Sequence, residues 1–152
     1  MKYIALETDI VRSWQNGGLD ANQMAPEKTL SDGDGVPCRH CLRDIPAGEG
    51  MLILAHRPFD TLHPYAETGP IFVCADACTR GGGHDLPAIL TTSPDYLVKG
   101  YSIDDRIVYG TGAIVPKDTL HAHCERLLQR HDLAYLHIRS ARNNCYQLRV
   151  ER

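Results

Sequence analysis

Short runs of apolar residues, separated by polar turns, predict that most of this chain folds as β-strands. Residues 50–56 and 70–74 are compact apolar runs of the kind found in partly or fully buried strands. Residues 96–101 and 106–115 predict two further strands joined by a turn, and residues 3–6 predict an edge strand. Because antiparallel strands can be joined by short turns, we expect a mostly antiparallel sheet.

Two segments carry the signals of amphipathic helices. The first begins at Thr8, whose hydroxyl can cap the helix, and ends at the Gly17-Gly18 pair. The second opens at Pro116 and repeats apolar side chains every three to four residues, as expected of a helix packed on a sheet. Together with the strands, these helices predict a single α+β domain that covers residues 1–152.

Three segments lack a hydrophobic period and predict irregular structure. Residues 20–37 are rich in Asp, Gly and Pro, and residues 57–69 are punctuated by prolines, so both are expected to be loops. The glycine tract at residues 79–83 is not easily accommodated in a helix or strand. We therefore expect none of the three segments to contribute a strand.

The last part of the chain alternates between apolar and polar residues and predicts a closing hairpin of residues 133–139 and 145–150. The alternation assigns one face to Leu136, Ile138, Tyr146, Leu148 and Val150, and the other face to His137, Arg139, Cys145, Gln147 and Arg149. This second face either is exposed to solvent or is covered and forms a polar pocket. In a covered pocket, guanidinium groups would lower the pKa of Cys145 and bind an anion.

The composition is that of a folded globular protein, with 43% apolar and 23% charged residues among 152. The net charge of −3 argues against a protein whose main task is to bind the phosphate backbone of nucleic acids. No apolar run approaches the ~20 residues needed to span a bilayer, and the first residues lack the apolar stretch of a signal peptide. We therefore expect a cytoplasmic protein without membrane association, whose six cysteines are thiols or metal ligands rather than disulfides.

The strongest chemical signal is a closely spaced pair of cysteines followed by a second pair. Cys38 and Cys41 are separated by two residues, so a tight turn between them could direct both sulfurs to one ion. Cys74 and Cys78 follow after about the length of one hairpin and would complete a tetrahedral site of four thiolates. The spacing predicts a structural zinc ion bound within residues 38–78.

The first cysteine pair is similar to the zinc knuckle of treble-clef fingers, such as those of LIM domains and poly-ADP-ribose polymerases. In those fingers the second pair usually begins a helix, whereas residues 79–83 are poor helix formers. Histidines close enough in sequence to replace one cysteine are His40, His56, His63 and His84. Two other interpretations stay open: four buried, inert thiols, and a redox pair, which Pro46 and Gly48 disfavour by interrupting the required helix.

Six short motifs are spread along nearly the whole chain: residues 37–42 (PCRHCL), 57–59 (RPF), 64–72 (PYAETGPIF), 99–101 (KGY), 109–112 (YGTG) and 137–145 (HIRSARNNC). Together they resemble an uncharacterised family of small bacterial proteins, domain of unknown function 1203. The resemblance implies a bacterial origin and a single compact domain, and it brings no activity with it. Members of that family often carry His where this chain has Cys74, which suits a metal site and leaves the fourth ligand open.

These observations favour a protein with a structural zinc ion that serves as a binding or interaction module. An alternative is a thiol-dependent enzyme in which Cys145 is the nucleophile beside Arg139 and His137. A third function, nucleic-acid binding through a finger, is disfavoured by the acidic balance of charges. The sequence identifies neither the ligand of such a module nor its oligomeric state.

Overall fold

Nine strands and two helices make up the computed structural model, which describes residues 1–152. In chain order they are β1 (Lys2–Ile4), α1 (Thr8–Gln15), β2 (Glu27–Leu30), β3 (Gly50–His56), β4 (Gly69–Cys74), β5 (Gly82–Gly83), β6 (Asp95–Tyr101), β7 (Ala113–Pro116), α2 (Lys117–Leu128), β8 (Tyr135–Ser140) and β9 (Tyr146–Glu151). All strand pairs are antiparallel. The predicted antiparallel α+β fold with two helices is confirmed, as a single domain with two sheets rather than one. The larger sheet has the order β5-β1-β9-β8-β6-β7, and the smaller has the order β2-β3-β4.

Helix α2 covers one face of the six-stranded sheet. Its buried side chains Leu120, Cys124 and Leu128 recur at helical spacing. They belong to the same apolar cluster as Leu136 and Ile138 of β8. This layer is the main apolar core of the protein. Each fully buried leucine in it contributes roughly 1.5–3 kcal/mol of transfer free energy.

The three-stranded sheet and α1 pack over the opposite face of β8 and β9. Val11 and Trp14 of α1 share an apolar cluster with residues of β3 and β4 and with Tyr146 of β9. As a result, the polar side chains His137 and Arg139 of β8 are buried. The interpretation of this face as exposed to solvent is wrong, because it forms a covered polar layer.

A register shift in the β8–β9 pair moves one predicted core residue to this polar layer. Tyr146 lies opposite Arg139, and the shift makes Gln147 an extra residue on β9. Because side chains alternate along a strand, the extra residue turns Tyr146 away from the face of Leu148. The Tyr146 ring instead lies 5.0 Å, centroid to centroid, from His137. The assignment of Tyr146 to the apolar face is therefore wrong.

Three further predictions need correction. Strand β2 lies inside the segment 20–37 that was expected to be a loop, and its four exposed side chains carry no alternation that could reveal it. Strand β5 lies in the glycine tract and pairs with β1 through its backbone alone. Conversely, the strand predicted over residues 106–115 begins only at Ala113, because Gly110 has a φ of +83° and the residues before it form turns.

The helix predictions are confirmed apart from the first residue of α1. Thr8 is the first residue of α1 rather than its cap, and the preceding Glu7 makes no capping hydrogen bond through its side chain. Helix α2 follows directly on Pro116, as the sequence predicts. Neither helix combines the length and the apolar character that crossing a bilayer requires.

Candidate metal centre

The segment from Cys38 to Cys41 forms a tight turn before β3. The amide of Leu42 donates to the carbonyl of Cys38 at 3.0 Å, and the amide of Cys38 donates to the carbonyl of Arg43 at 2.9 Å. Leu42 closes the turn in the left-handed backbone region, with a φ of +58°, and buries its side chain. This local geometry presents the two thiols on one side of the turn.

Strand β4 brings the second cysteine pair to this turn. The amide of Arg39 donates to the carbonyl of Phe72 in β4 at 3.1 Å, and the amide of Cys74 donates to the Sγ atom of Cys38 at 3.3 Å. Cys74 is the last residue of β4, and Cys78 lies shortly after the bend that follows. The chain after Cys78 continues without a helix, so the second pair departs from the treble-clef pattern there.

The four sulfur atoms form one cluster. The Sγ atoms of Cys38, Cys41, Cys74 and Cys78 all lie within 4.8 Å of one another. A tetrahedral zinc ion with Zn–S bonds of about 2.3 Å keeps its sulfurs about 3.8 Å apart, which is compatible with this cluster. An all-sulfur donor set suits soft ions such as zinc and not magnesium or calcium. The structure thus brings together the four predicted cysteines in an arrangement that fits a metal ion.

The thiols of the cluster influence one another's ionisation. Hydrogen bonds with Cys41 and Cys74 lower the pKa of Cys38 far below its ordinary value, while the hydrogen bond with Cys38 raises the pKa of Cys74. Burial raises the pKa of Cys78 to about 12. One thiolate therefore forms readily, and the other thiols ionise only if a cation balances the added charge.

His40 contacts the cluster from outside. Its Nδ1 atom lies 3.1 Å from the Sγ atom of Cys78, its Nε2 atom lies 3.0 Å from the hydroxyl of Thr8, and the residue is fully buried. The other histidines weighed as ligands, His56, His63 and His84, make their contacts elsewhere. His40 is therefore placed to orient Cys78.

Helix α1 holds the second cysteine pair with two polar side chains. The guanidinium of Arg12 donates to the carbonyl of Cys78 at 2.8 Å. The side-chain amide of Gln15 donates to the carbonyls of Cys74 and Asp76, both at 2.8 Å. Neither residue is among the sequence predictions, because only the apolar face of α1 shows a recognisable hydrophobic pattern. The available signal was the i, i+3 spacing that puts Arg12 and Gln15 on the same side of the helix.

An open cleft of about 470 Å³ borders the cluster. Arg43 and Arg80 line it together with three of the four cysteines. These guanidinium groups can offset the negative charge of a site with four thiolates. Gly81 also lines this cleft, and a Cβ atom there would lie 2.4 Å from the carbonyl oxygen of Cys41. Only glycine fits at that position without moving the knuckle.

The residues of the predicted thiol site differ in burial. Cys145 is partly exposed, and its thiol donates to the carbonyl of Asn143 at 3.7 Å. His137 is fully buried among aromatic rings, and Arg139 donates to the carbonyl of Asn144 at 3.1 Å. No hydrogen bond joins the thiol of Cys145 to His137 or Arg139, and thiol-dependent catalysis stays a prediction.

Comparison with known proteins places the chain in a family. No curated protein and no solved structure matches it. The profile of a family described as a protein of unknown function (DUF1203) matches residues 35–152. That match covers more than half of the chain and includes every cysteine of the cluster. The chain therefore belongs to the DUF1203 family, as its six motifs predict.

Proposed function

We propose that this protein binds one zinc ion through Cys38, Cys41, Cys74 and Cys78, and that the zinc-bound domain serves as a binding module in the bacterial cytoplasm. The observation that carries the proposal is the convergence of four sulfur atoms within 4.8 Å, from two segments on either side of β3. Such a cluster is typical of structural zinc sites in reduced proteins.

A zinc ion in this position would be structural rather than catalytic. Four protein thiolates fill the tetrahedral coordination of zinc and leave no position for water or substrate. The ion would join the turn before β3 to the end of β4, and the hydrogen bonds of Arg12 and Gln15 extend this connection to α1. Zinc binding contributes on the order of 10–16 kcal/mol in small zinc fingers, so we expect a large gain in stability.

Three further features support the remaining parts of the proposal. The turn at Cys38 and Cys41 supports a knuckle of the treble-clef type, although the second pair lacks the following helix. Cysteine pairs gathered as candidate metal ligands are typical of proteins from reducing compartments. The buried basic side chains in the polar layer of β8 support a binding role.

Elemental analysis of the protein purified under reducing conditions tests the metal. We expect one zinc ion per chain, lost in Cys38→Ser and retained in Cys124→Ser. Cys124 is the matched control because it is a buried cysteine of α2 outside the cluster. Folded wild-type protein without zinc, or equal zinc contents in the two variants, would contradict the proposal.

A further inference from the structure

A carboxylate from a loop occupies a basic pocket on the covered face of β8. The carboxylate of Glu67 lies 3.1 Å from Nζ of Lys99 and 3.1 Å from Nη1 of Arg139. The side-chain amide of Asn144 donates to it at 3.2 Å, and the hydroxyl of Tyr101 lies 3.5 Å away. Burial opposes the ionisation of Glu67, but Arg139 and Lys99 outweigh it and lower the pKa of Glu67 below its ordinary value. Glu67 is therefore bound as an anion.

Positive charge exceeds negative charge around this carboxylate. The side chains of Arg139 and Lys99 are only 4% and 19% exposed, and they share the single carboxylate of Glu67. Buried charges without a partner of opposite sign are costly, so this layer favours an additional anion.

Several buried polar atoms of the same layer lack a hydrogen-bond partner, among them Nε2 of His56, Nε of Arg149 and the acceptor Oε1 of Gln147. Two of them, Nε of Arg139 and Nε2 of His137, belong to adjacent side chains of β8. Arg139 lies 3.5 Å from Nδ1 of His137 and can only donate to it, so the proton of the neutral imidazole is on Nε2. Both orphaned atoms are then donors. Because buried polar groups are nearly always paired, two orphaned donors indicate that an acceptor is missing.

The loop that carries Glu67 is attached to the rest of the protein by side chains alone. The backbone hydrogen bonds of residues 57–68 are internal to the loop. Phe59 is buried against aromatic rings of the polar layer, and the hydroxyl of Tyr65 lies 3.3 Å from that of Tyr109. A segment held in this way can move without breaking the hydrogen-bond ladder of a sheet.

We propose that Arg139, Lys99 and Asn144 form a receptor for a small oxyanion, a carboxylate or a phosphate group, and that Glu67 fills this receptor in the free protein. An incoming oxyanion accepts the hydrogen bonds that Glu67 accepts now. Glu67 then moves into solvent with residues 57–68, and the orphaned donors of Arg139 and His137 gain an acceptor. Because Glu67 competes with the ligand, it lowers the apparent affinity of the receptor.

This inference rests on the proposed binding role and is independent of the metal. The receptor shares no residue with the cysteine cluster. Failure of anion binding would leave the zinc content unchanged, and anion binding is measured in variants that keep all four cysteines of the cluster. The two proposals can therefore fail separately.

Isothermal titration of the purified, full-length protein with inorganic phosphate and, separately, with succinate tests the receptor. Glu67→Gln is compared with Glu125→Gln, which removes the same charge from a side chain of α2 that is 54% exposed. We expect Glu67→Gln to bind at least one probe about ten-fold more tightly than Glu125→Gln. The preferred probe distinguishes a phosphate receptor from a carboxylate receptor. Equal affinities of the two variants for both probes, or no binding by Glu67→Gln, would overturn the proposal.

If Glu67→Gln does not fold, hydrogen exchange of the wild-type protein tests the same proposal. At high millimolar concentrations of the two probes, we expect the amides of residues 57–68 to exchange several-fold faster with at least one of them. Amides in β6 and β8 should keep their rates. Unchanged or slower exchange of residues 57–68 with both probes would overturn the displacement of Glu67.

Discussion

The Nδ1 atom of His40 lies 3.1 Å from the Sγ atom of Cys78, while its Nε2 atom lies 3.0 Å from the hydroxyl of Thr8. With a thiolate at Cys78, this geometry places the ring proton on Nδ1, where it donates to the sulfur. The Thr8 hydroxyl then donates to Nε2 and fixes this tautomer. One buried imidazole thus connects α1 to the cysteine cluster.

Replacing His40 with Ala should lower the zinc affinity by roughly 10–100-fold, the usual effect of removing a group that orients a metal ligand. Competition with a zinc-binding chromophore measures the affinity. His131→Ala is the control, since His131 is exposed and lies outside the cluster. An unchanged affinity in His40→Ala would mean that the ring only fills space.

Gly81 packs so closely on the knuckle that Gly81→Ala should destabilise the protein by about 1–3 kcal/mol, the usual cost of forcing an extra carbon into a packed site. The added Cβ would lie 2.4 Å from the carbonyl oxygen of Cys41. At Gly112 a Cβ meets no atom within 4 Å, so Gly112→Ala should have little effect. Urea unfolding of the two variants measures the difference, and equal stabilities would contradict this packing.

Acid should destabilise the protein through His56. Burial, together with Arg39, Arg139 and Arg57, lowers the pKa of His56 to about 4. In the unfolded chain its pKa is near 6.5, so the unfolded state binds more protons at intermediate pH. The stability from this neutral ring is present above pH 6.5 and is lost as the pH falls towards 4. Between pH 7 and pH 5 the loss from His56 alone is about 2 kcal/mol.

The variant His56→Phe isolates this contribution from the acid sensitivity of the thiolates. Its ring can keep the packing against Trp14 and Tyr146. Urea unfolding at pH 7 and pH 5 should show a smaller drop in the variant than in the wild type, because both retain the cluster. An identical drop in the two proteins would show that His56 does not titrate in this way.

Alkylation separates Cys145 from the other cysteines. If the cluster binds zinc as proposed, four thiols are ligands and are protected from alkylation. Cys124 is fully buried, and burial raises its pKa to about 12. We expect iodoacetamide to add one group per chain, at Cys145, at the rate of an ordinary small thiol. Intact-mass spectrometry follows the reaction. A markedly faster rate at Cys145 would favour the thiol-dependent enzyme instead.

Features that depend on residues close together in the sequence could be predicted from it. Helix α2 is predicted because its apolar side chains repeat at helical spacing above Pro116. Strands β3 and β4 are predicted because a continuous apolar run can bury its side chains on both faces of a covered sheet. The cysteine spacing predicts the cluster because a two-residue gap brings Cys38 and Cys41 to one turn. A hairpin of two strands then returns the chain to this turn at Cys74.

The hydrophobic pattern and the cysteine spacing were therefore enough to predict the class of fold and the four cysteines that cluster. Only the tertiary structure decided what covers the second face of β8, and so whether His137 and Arg139 are exposed or buried. It also decided that Glu67 meets Lys99 and Arg139, three residues from separate segments. The physical reason is that local spacing controls turns and helices, whereas burial, register and charge pairing depend on which distant segments pack together.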